Sequence, residues 1–167
     1  MPGAREPQRA EGQKWEEALQ EAMVREVGAT LAGIRPEPVV LQGFGLDIAV
    51  FMERGGLTTV RFLELKAYSG QRPRSVQVCK GERYQQRLIA CTPQQLAMQD
   101  RLIRWIVWDT TRQDGEARYA FVTSADIRHA WRGTVRGDKE HNINIDKLTG
   151  WIDWPTLLVE LRAFLLD

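Results

Sequence analysis

The chain has 167 residues, of which 43% are hydrophobic and 27% charged, and its formal net charge at pH 7 is +1. This length fits one domain with one sizeable core. The near-neutral charge excludes a basic nucleic-acid-binding field spread over the whole molecule, although a local basic patch is compatible with it. No apolar run approaches the ~20 residues that a membrane-spanning helix needs, so we expect no membrane association.

The N-terminal residues and the two cysteines both indicate in which cellular compartment the protein is found. Residues 1–12 are polar, contain Pro and Gly, and lack the apolar stretch of a signal peptide. We expect them to be a disordered lead-in, with residues 13–167 forming a single domain. Cys79 and Cys91 fit neither a disulfide framework nor a zinc motif, which indicates reduced thiols in a cytoplasmic protein.

The first half of the chain predicts a helix followed by strands. Residues 14–32 carry apolar side chains at helical spacing, and the sequence RPEP after them predicts the end of that helix. Residues 39–68 are predicted to form strand, strand, turn and strand, with Gly55-Gly56 as the hairpin turn. Residues 69–82 are interpreted as a loop, followed by a short helix from about residue 80 to residue 90.

The second half predicts alternating helices and strands. Thr92 as N-cap and Pro93 at the first helical position are typical of a helix start. The remaining predicted elements are strands at 104–110 and 117–124, a short helix at 125–131, a short strand at 142–148 and an amphipathic helix at 154–166. The apolar side of that last helix fits either the core or a dimer face.

The predicted order of elements is α-β-β-β-α-β-β-α-β-α. It indicates an α/β fold, in the form of an α+β sandwich with a central mixed β-sheet flanked by helices.

One predicted strand carries charges where a core strand normally has none. The sequence FLELKAY (62–68) is apolar except for Glu64 and Lys66, which are two residues apart and therefore point to the same face of the strand. Charged side chains are rarely buried unless they are paired. This face therefore calls for a specific explanation.

The hairpin register places a second acid beside Glu64. If the turn is centred between Gly55 and Gly56, paired residue numbers add up to 111, which sets Asp47 directly opposite Glu64. Two carboxylates this close repel each other and would raise one pKa, unless a cation lies between them. Carboxylate oxygens are ligands that Mg²⁺ prefers. A metal between Asp47 and Glu64, with Lys66 beside it, suits phosphodiester hydrolysis, because the metal activates water and the lysine stabilises charge on phosphorus.

This pattern resembles the PD-(D/E)XK nuclease superfamily. The residues that carry the resemblance are Asp47 and, after sixteen intervening residues, Glu64-Leu65-Lys66, although Leu46 stands where the family motif has Pro. Among the five lysines, Lys66 alone has an acid two residues before it. The resemblance implies a restriction endonuclease-like core over roughly residues 12–110, with Asp47, Glu64 and Lys66 as catalytic residues.

The resemblance also implies a cofactor and further site residues. Asp47, Glu64 and the backbone carbonyl of Leu65 would bind Mg²⁺, for which Mn²⁺ could substitute. The stretch GQKWE (12–16) nominates Glu16 on the preceding helix as a further catalytic acid, with Glu17 as its substitute. Gln95 and Gln99, on the helix after the Glu64 strand, are accessory candidates.

Basic residues after Lys66 are candidates for nucleic-acid contact. Arg72 and Arg74 follow the strand directly, and Lys80 would extend the basic edge. Arginine and lysine commonly contact the phosphate backbone. The alternative for this stretch is a solvated loop.

Several functions are compatible with these residues. The first is a Mg²⁺-dependent endodeoxyribonuclease acting on DNA, as a homodimer or within a larger nuclease complex, and we favour a restriction or defence role. A Holliday-junction resolvase and a repair or mobile-element nuclease are alternatives, since fold alone does not select among them. The others are a non-catalytic nucleic-acid- or protein-binding module of the same fold, and an interaction protein in which Asp47 and Lys66 form an exposed cross-strand salt bridge.

Overall fold

The computed structural model of the protein describes residues 6, 15–27, 30–33, 47–70, 72, 74–80, 91–113, 115–134 and 140–167. The helices in this part of the chain are α1 (Trp15–Val27), α2 (Pro93–Leu102), α3 (Ser124–His129) and α4 (Trp154–Leu166). The strands are β1 (Thr30–Gly33), β2 (Ile48–Arg54), β3 (Leu57–Tyr68), β4 (Ser75–Lys80), β5 (Ile103–Asp109), β6 (Tyr119–Val122), β7 (Trp131–Thr134), β8 (Glu140–Asn144) and β9 (Trp151–Ile152). A 3₁₀ turn, Ile145–Lys147, follows β8.

A mixed sheet of six strands forms the centre of the molecule. Its strand order is β1-β2-β3-β5-β6-β9, in which β3 and β5 are parallel and every other neighbouring pair is antiparallel. Parallel neighbours need a crossover connection, and α2 lies within the segment that joins β3 to β5. The predicted class, an α/β fold with a mixed sheet and flanking helices, is confirmed.

Helices cover one face of this sheet. α1 and α4 contact each other there, and the closing helix belongs to the core rather than to a free surface. The buried side chains of this first core are Trp15, Leu19, Ala22, Ile48, Val50, Met52, Leu63, Leu65, Ile106, Trp108, Tyr119, Trp154, Leu157, Leu161, Phe164 and Leu165. Alternate residues of β2, β3 and β5 therefore point towards the helices.

The other face is covered by a second, smaller sheet and by α3. The second sheet has the order β4-β8-β7, and both of its strand pairs are antiparallel. Its buried residues Val76, Val78 and Ile143 pack with Ile127 of α3 against Trp105 and Val107 of β5. Trp105 and Trp108 point to opposite faces, as their spacing predicts. The face of β3 that carries Glu64 and Lys66 is this second one, since Leu63 and Leu65 belong to the first core.

The central hairpin has the predicted register. Ile48 pairs with Leu63 and Arg54 pairs with Leu57, so paired residue numbers add up to 111 throughout. The turn residues Gly55 and Gly56 have φ angles of 58° and 79°. Two consecutive positive φ angles are typical of a tight hairpin turn that glycine accommodates without strain.

Other elements correct the sequence-based expectations. The helix predicted for 14–32 ends at Val27, and Thr30–Gly33 is strand β1, whose pairing with β2 outweighs helical spacing. The loop predicted for 69–82 contains strand β4, held by pairing with β8. β7 and β9 were not predicted, and the strand predicted at 142–148 is part of β8 only as far as Asn144, where the 3₁₀ turn begins.

Some predictions fall on residues that the structure does not describe. These are the first strand of the stretch 39–68, where it precedes residue 47, and the helix at about 80–90. The N-terminal lead-in also lies almost wholly outside the described residues and stays a prediction. Within the described part of the chain, no helix combines the length and apolar character that crossing a membrane requires.

Candidate metal and nucleic-acid site

The candidate site is built on β3, which runs through the middle of the six-stranded sheet. The outer residues of this strand, 57–59, are exposed, whereas 63–65 are buried between β2 and β5. Glu64 and Lys66 point to the second face at the buried end of the strand. The local sequence alternates apolar and charged residues there, so one face completes the first core and the other carries charge.

Glu64 and Lys66 form an ion pair in this buried setting. The Lys66 Nζ lies 2.8 Å from the Glu64 Oε1, and Glu64 is 3% exposed. The Lys66 side chain is 23% exposed, so its ammonium stays within reach of solvent. A carboxylate at this depth requires a nearby positive charge, which Lys66 supplies.

Asp47 lies at the point where the β2–β3 ladder ends. Its backbone N–H donates to the Leu63 carbonyl at 3.2 Å, and its Oδ2 accepts a 2.7 Å hydrogen bond from the Leu65 N–H. The hairpin register continued one residue beyond Ile48 and Leu63 sets Asp47 against Glu64. The predicted approach of the two acids is therefore supported by the ladder and by this side-chain bond.

Burial is the main influence on the ionisation of Asp47. Desolvation raises the pKa of its carboxyl, while the Leu65 N–H and the Lys66 charge act in the opposite direction and only partly compensate. A further positive charge would stabilise the ionised form of this partly desolvated carboxylate. A divalent cation would supply that charge.

The chemistry of these groups fits Mg²⁺. The described residues contain no group of three or more His, Cys, Asp or Glu side chains placed to hold a metal. Mg²⁺ does not require such a group, because it is commonly bound by one or two carboxylates together with waters and substrate phosphates. Asp47 and Glu64 would hold it from adjacent strands.

Trp105 lies beside Glu64 on the next strand. The two residues are paired in the parallel register of β3 and β5, and both are buried. The Trp105 Nε1–H donates to the Ser124 Oγ at 3.0 Å, and the Ser124 N–H donates to the Asp100 Oδ1 at 2.9 Å. The indole is thus fixed beside Glu64 by residues from α2 and α3. The sequence placed Trp105 on a strand face but gave no sign of these partners.

The helix residues nominated by the resemblance lie in different surroundings. Glu16 is in α1, which packs on the first face of the sheet, and the structure does not describe its side chain. Glu17 is exposed. Glu16 therefore stays a prediction.

The two glutamines are on the predicted helix α2. Gln95 completes a capping box, since its Oε1 accepts from the Thr92 N–H at 2.8 Å while its own N–H donates to the Thr92 Oγ1. Gln99 donates to the Sγ of Cys91 at 3.4 Å. Thr92 and Pro93 begin the helix as predicted, and the cap accounts for Gln95 without a role in catalysis.

The basic residues after Lys66 also differ from one another. Arg72 is exposed, whereas Arg74 forms ion pairs with Asp109 at 3.0 Å and with Asp146 at 2.8 Å. Lys80 ends β4, and its side chain is outside the described residues. Arg72 is therefore placed as a surface cation, and Arg74 as part of a network of ion pairs that joins the buried Asp109 to the exposed Asp146.

Asp109, which the sequence did not indicate, is the acid at the centre of that network. It is fully buried at the end of β5 and accepts from the Thr111 N–H at 3.0 Å, from Arg74 and from Arg112. Burial alone would raise the pKa of Asp109, but the hydrogen bonds from Thr111 and Arg74 outweigh it and hold the pKa below its ordinary value.

Comparison with known proteins gave no match: no family model, no curated protein and no solved structure matches this chain.

Proposed function

We propose that the protein is a Mg²⁺-dependent endodeoxyribonuclease of the PD-(D/E)XK type. The observation that carries this proposal is the arrangement at the end of the central hairpin. There the Asp47 carboxylate bonds to the backbone between Glu64 and Lys66, and Lys66 lies 2.8 Å from the buried Glu64. Two acids from adjacent strands and one lysine leave a net negative site that suits a divalent cation.

The surrounding elements support the same proposal. The resemblance implies a helix, then a hairpin whose strands carry the two acids, then a further helix. α1, the β2–β3 hairpin and α2 follow one another in that order. The restriction endonuclease-like core is accordingly part of the proposal.

Each residue would have a distinct role in hydrolysis. Asp47 and Glu64, with the Leu65 carbonyl, would hold Mg²⁺, and Mn²⁺ would be accepted by the same oxygen ligands. The bound metal would polarise the phosphoryl oxygen and lower the pKa of water. Lys66, paired with Glu64 and in reach of solvent, would orient the attacking water or stabilise the charge on phosphorus.

The proposed substrate is DNA, and the proposed role is restriction or defence. A homodimer would present two sites to the two strands of a duplex. A Holliday-junction resolvase uses the same phosphodiester chemistry on a branched substrate, so both substrates belong in the first experiment.

The test is cleavage of plasmid and of a four-way junction with Mg²⁺ or Mn²⁺, with EDTA as a parallel arm. We expect wild-type protein to cut in a metal-dependent way and Lys66→Ala to lose cleavage by at least about 100-fold. Lys147→Ala is the matched control, because Lys147 is exposed on the 3₁₀ turn and should leave cleavage unchanged.

A thermal melt separates catalysis from metal binding. A ligand that binds only the folded state raises the melting temperature. Mg²⁺ should therefore stabilise the wild-type protein and Lys66→Ala, but not Asp47→Asn or Glu64→Gln. Cleavage that persists in EDTA or in Lys66→Ala would contradict the proposal.

A non-catalytic binding module is the second candidate. It is favoured by the fact that Asp47, Glu64 and Lys66 all have intramolecular partners, which explains their placement without a metal. This candidate predicts no cleavage of either substrate and no stabilisation by Mg²⁺.

A further inference from the structure

Four charged residues form a network just beyond the candidate site: Asp109, Arg74, Arg112 and Asp146. We call this network the Asp109 clamp. Arg74 donates through Nη2 to the Asp109 Oδ2 at 3.0 Å and through Nε to the Asp146 Oδ1 at 2.8 Å. Arg112 donates through Nε to the same Asp109 oxygen at 3.2 Å. The clamp contains two acids and two arginines, so its charges balance.

The clamp lies in line with the candidate site on the same face of the sheet. Lys66 pairs with Val107 in the β3–β5 register, and Tyr68 pairs with Asp109 one alternation further along. The Thr110 N–H and Oγ1–H both donate to the Tyr68 carbonyl, at 3.2 and 2.6 Å. The end of the strand that carries Lys66 is thus tied to the residue that follows Asp109.

Arg74 fixes the segment that leaves this strand. Its guanidinium lies 5.1 Å from the centre of the Tyr68 ring, and its carbonyl accepts from the Ile145 N–H at 3.1 Å. One residue therefore contacts β3, β5 and the turn after β8. Two separate donor atoms of its fork are engaged at once, an arrangement that arginine supports and lysine does not.

We infer that Arg74 is a positioning residue that acts with Asp109 to hold the backbone downstream of Lys66, and that it does not contact phosphate. This inference rests on the proposed nuclease function for its effect on catalysis. The Asp109 and Asp146 carboxylates engage two of the five N–H donors of Arg74 and neutralise its charge, and their own negative charges repel a phosphate. A phosphate that displaced Arg74 would leave Asp109, which is fully buried, without one of its cations.

The first readout is amide hydrogen exchange, which does not depend on activity. Arg74→Ala and Arg74→Lys should both accelerate exchange at Ile145 and Thr110, whose N–H groups bond to the clamped segment. Arg112→Ala is the matched control, since Arg112 also bonds to Asp109 but belongs to the turn between β5 and β6. It should leave exchange at Ile145 unchanged.

The second readout is DNA binding and cleavage. A phosphate contact contributes about 0.9 to the slope of log K against log salt concentration. We expect Arg74→Ala to leave this slope unchanged and to lower kcat by between about 10-fold and 100-fold, because small displacements near a reacting centre are costly. Arg74→Lys should lower kcat equally, whereas Arg112→Ala should not.

Three results would overturn the inference. The first is a slope reduced by about 0.9 in Arg74→Ala and retained in Arg74→Lys, which would make Arg74 a phosphate contact. The second is an equal loss of kcat in Arg112→Ala, and the third is unchanged exchange at Ile145. If Arg74→Ala does not fold, Asp146→Ala removes the Nε partner alone and serves in its place. If the wild-type protein neither binds nor cuts DNA, the proposed function fails, while the exchange rates still decide whether Arg74 holds the segment.

Discussion

Asp47 and Asp109 lie on the same side of the same sheet, yet their surroundings shift their pKa values in opposite directions. Asp47 directly precedes β2, where burial raises its pKa and the Leu65 N–H and Lys66 compensate only in part. Asp109 ends β5, where burial also acts to raise the pKa but hydrogen bonds from Thr111 and Arg74 lower it overall. The two acids differ mainly in the number of donors that surround them.

This difference separates a structural carboxylate from a candidate ligand. A carboxylate whose oxygens accept several hydrogen bonds is stable as an anion and gains little from a metal. A desolvated carboxylate with fewer donors gains more from an added cation, and perturbed groups of this kind are enriched at functional sites. The comparison therefore fits a structural role for Asp109 and the proposed role of metal ligand for Asp47.

The largest expected effect is on the stability of alanine variants at the two positions. Asp109→Ala should lower the free energy of unfolding by about 4 kcal/mol, because four hydrogen bonds to its carboxylate, from Thr111, Arg74 and Arg112, are lost. Asp47→Ala should lower it by about 1 kcal/mol, since one hydrogen bond is lost and a partly buried charge is removed with it. Urea unfolding measures the free energy of unfolding of each variant. Equal losses would contradict the different roles given to Asp47 and Asp109.

The second effect extends the comparison to the other face of the sheet. Arg118 is fully buried there and its Nε lies 2.8 Å from the Glu6 Oε1, which also accepts from the Tyr119 hydroxyl at 3.2 Å. Glu6→Gln should lower the free energy of unfolding by about 2 kcal/mol, because a hydrogen bond to a charged group is weakened. Glu17→Gln, at an exposed position of α1, is the control and should have no measurable effect.

A smaller effect tests whether the number of donors sets the pKa of Asp109. Thr111→Val removes the hydroxyl that bonds to Oδ1 and retains the backbone N–H. It should lower the free energy of unfolding by about 1 kcal/mol and move the pKa of Asp109 upwards, towards its ordinary value. Carboxyl titration by NMR measures the pKa. An unchanged pKa would mean that the Thr111 N–H and the two arginines are sufficient to keep the pKa of Asp109 low.

The smallest effect is on the pH dependence of stability. Because the folded state lowers the pKa of Asp109, its contribution is present above the ordinary value of 3.8 and is lost as the pH falls through the lowered pKa. The raised pKa of Asp47 has the opposite consequence: its ionisation costs stability as the pH rises above 3.8. Wild-type protein should therefore lose stability relative to Asp109→Asn on acidification and gain it relative to Asp47→Asn. Parallel pH profiles for the two variants would contradict this assignment.

Local signals in the sequence predicted much of the fold. Gly55-Gly56 determined the register of the hairpin, and Thr92 with Pro93 determined the start of α2. β1 was missed because the apolar spacing of α1 continues to Leu31, so that only pairing with β2 distinguishes the two elements. β4 was missed although Val76 and Val78 alternate with the exposed Gln77, because the preceding Gly, Arg and Pro residues are typical of a loop.

The candidate site and its surroundings could likewise be predicted from the sequence only in part. The proximity of Asp47 and Glu64 follows from a turn and a count along two strands. The clamp could not be predicted, because Arg74 and Asp109 are 35 residues apart and nothing in either local sequence indicates the other. The same is true of Glu6 and Arg118, which are 112 residues apart. Contacts of this kind depend on which elements the complete sheet brings together.

α1 and α4, which cover the first face of the sheet, come from distant parts of the sequence. The Asp167 carbonyl accepts a hydrogen bond from Arg61, which is 106 residues away. Folding that depends on such distant contacts is slow, since loop closure precedes most of the gain from burial. Until both helices are docked, a row of large apolar side chains faces water. A partly folded chain of this kind is prone to self-association, so dilute conditions or a chaperone should raise the yield of refolding.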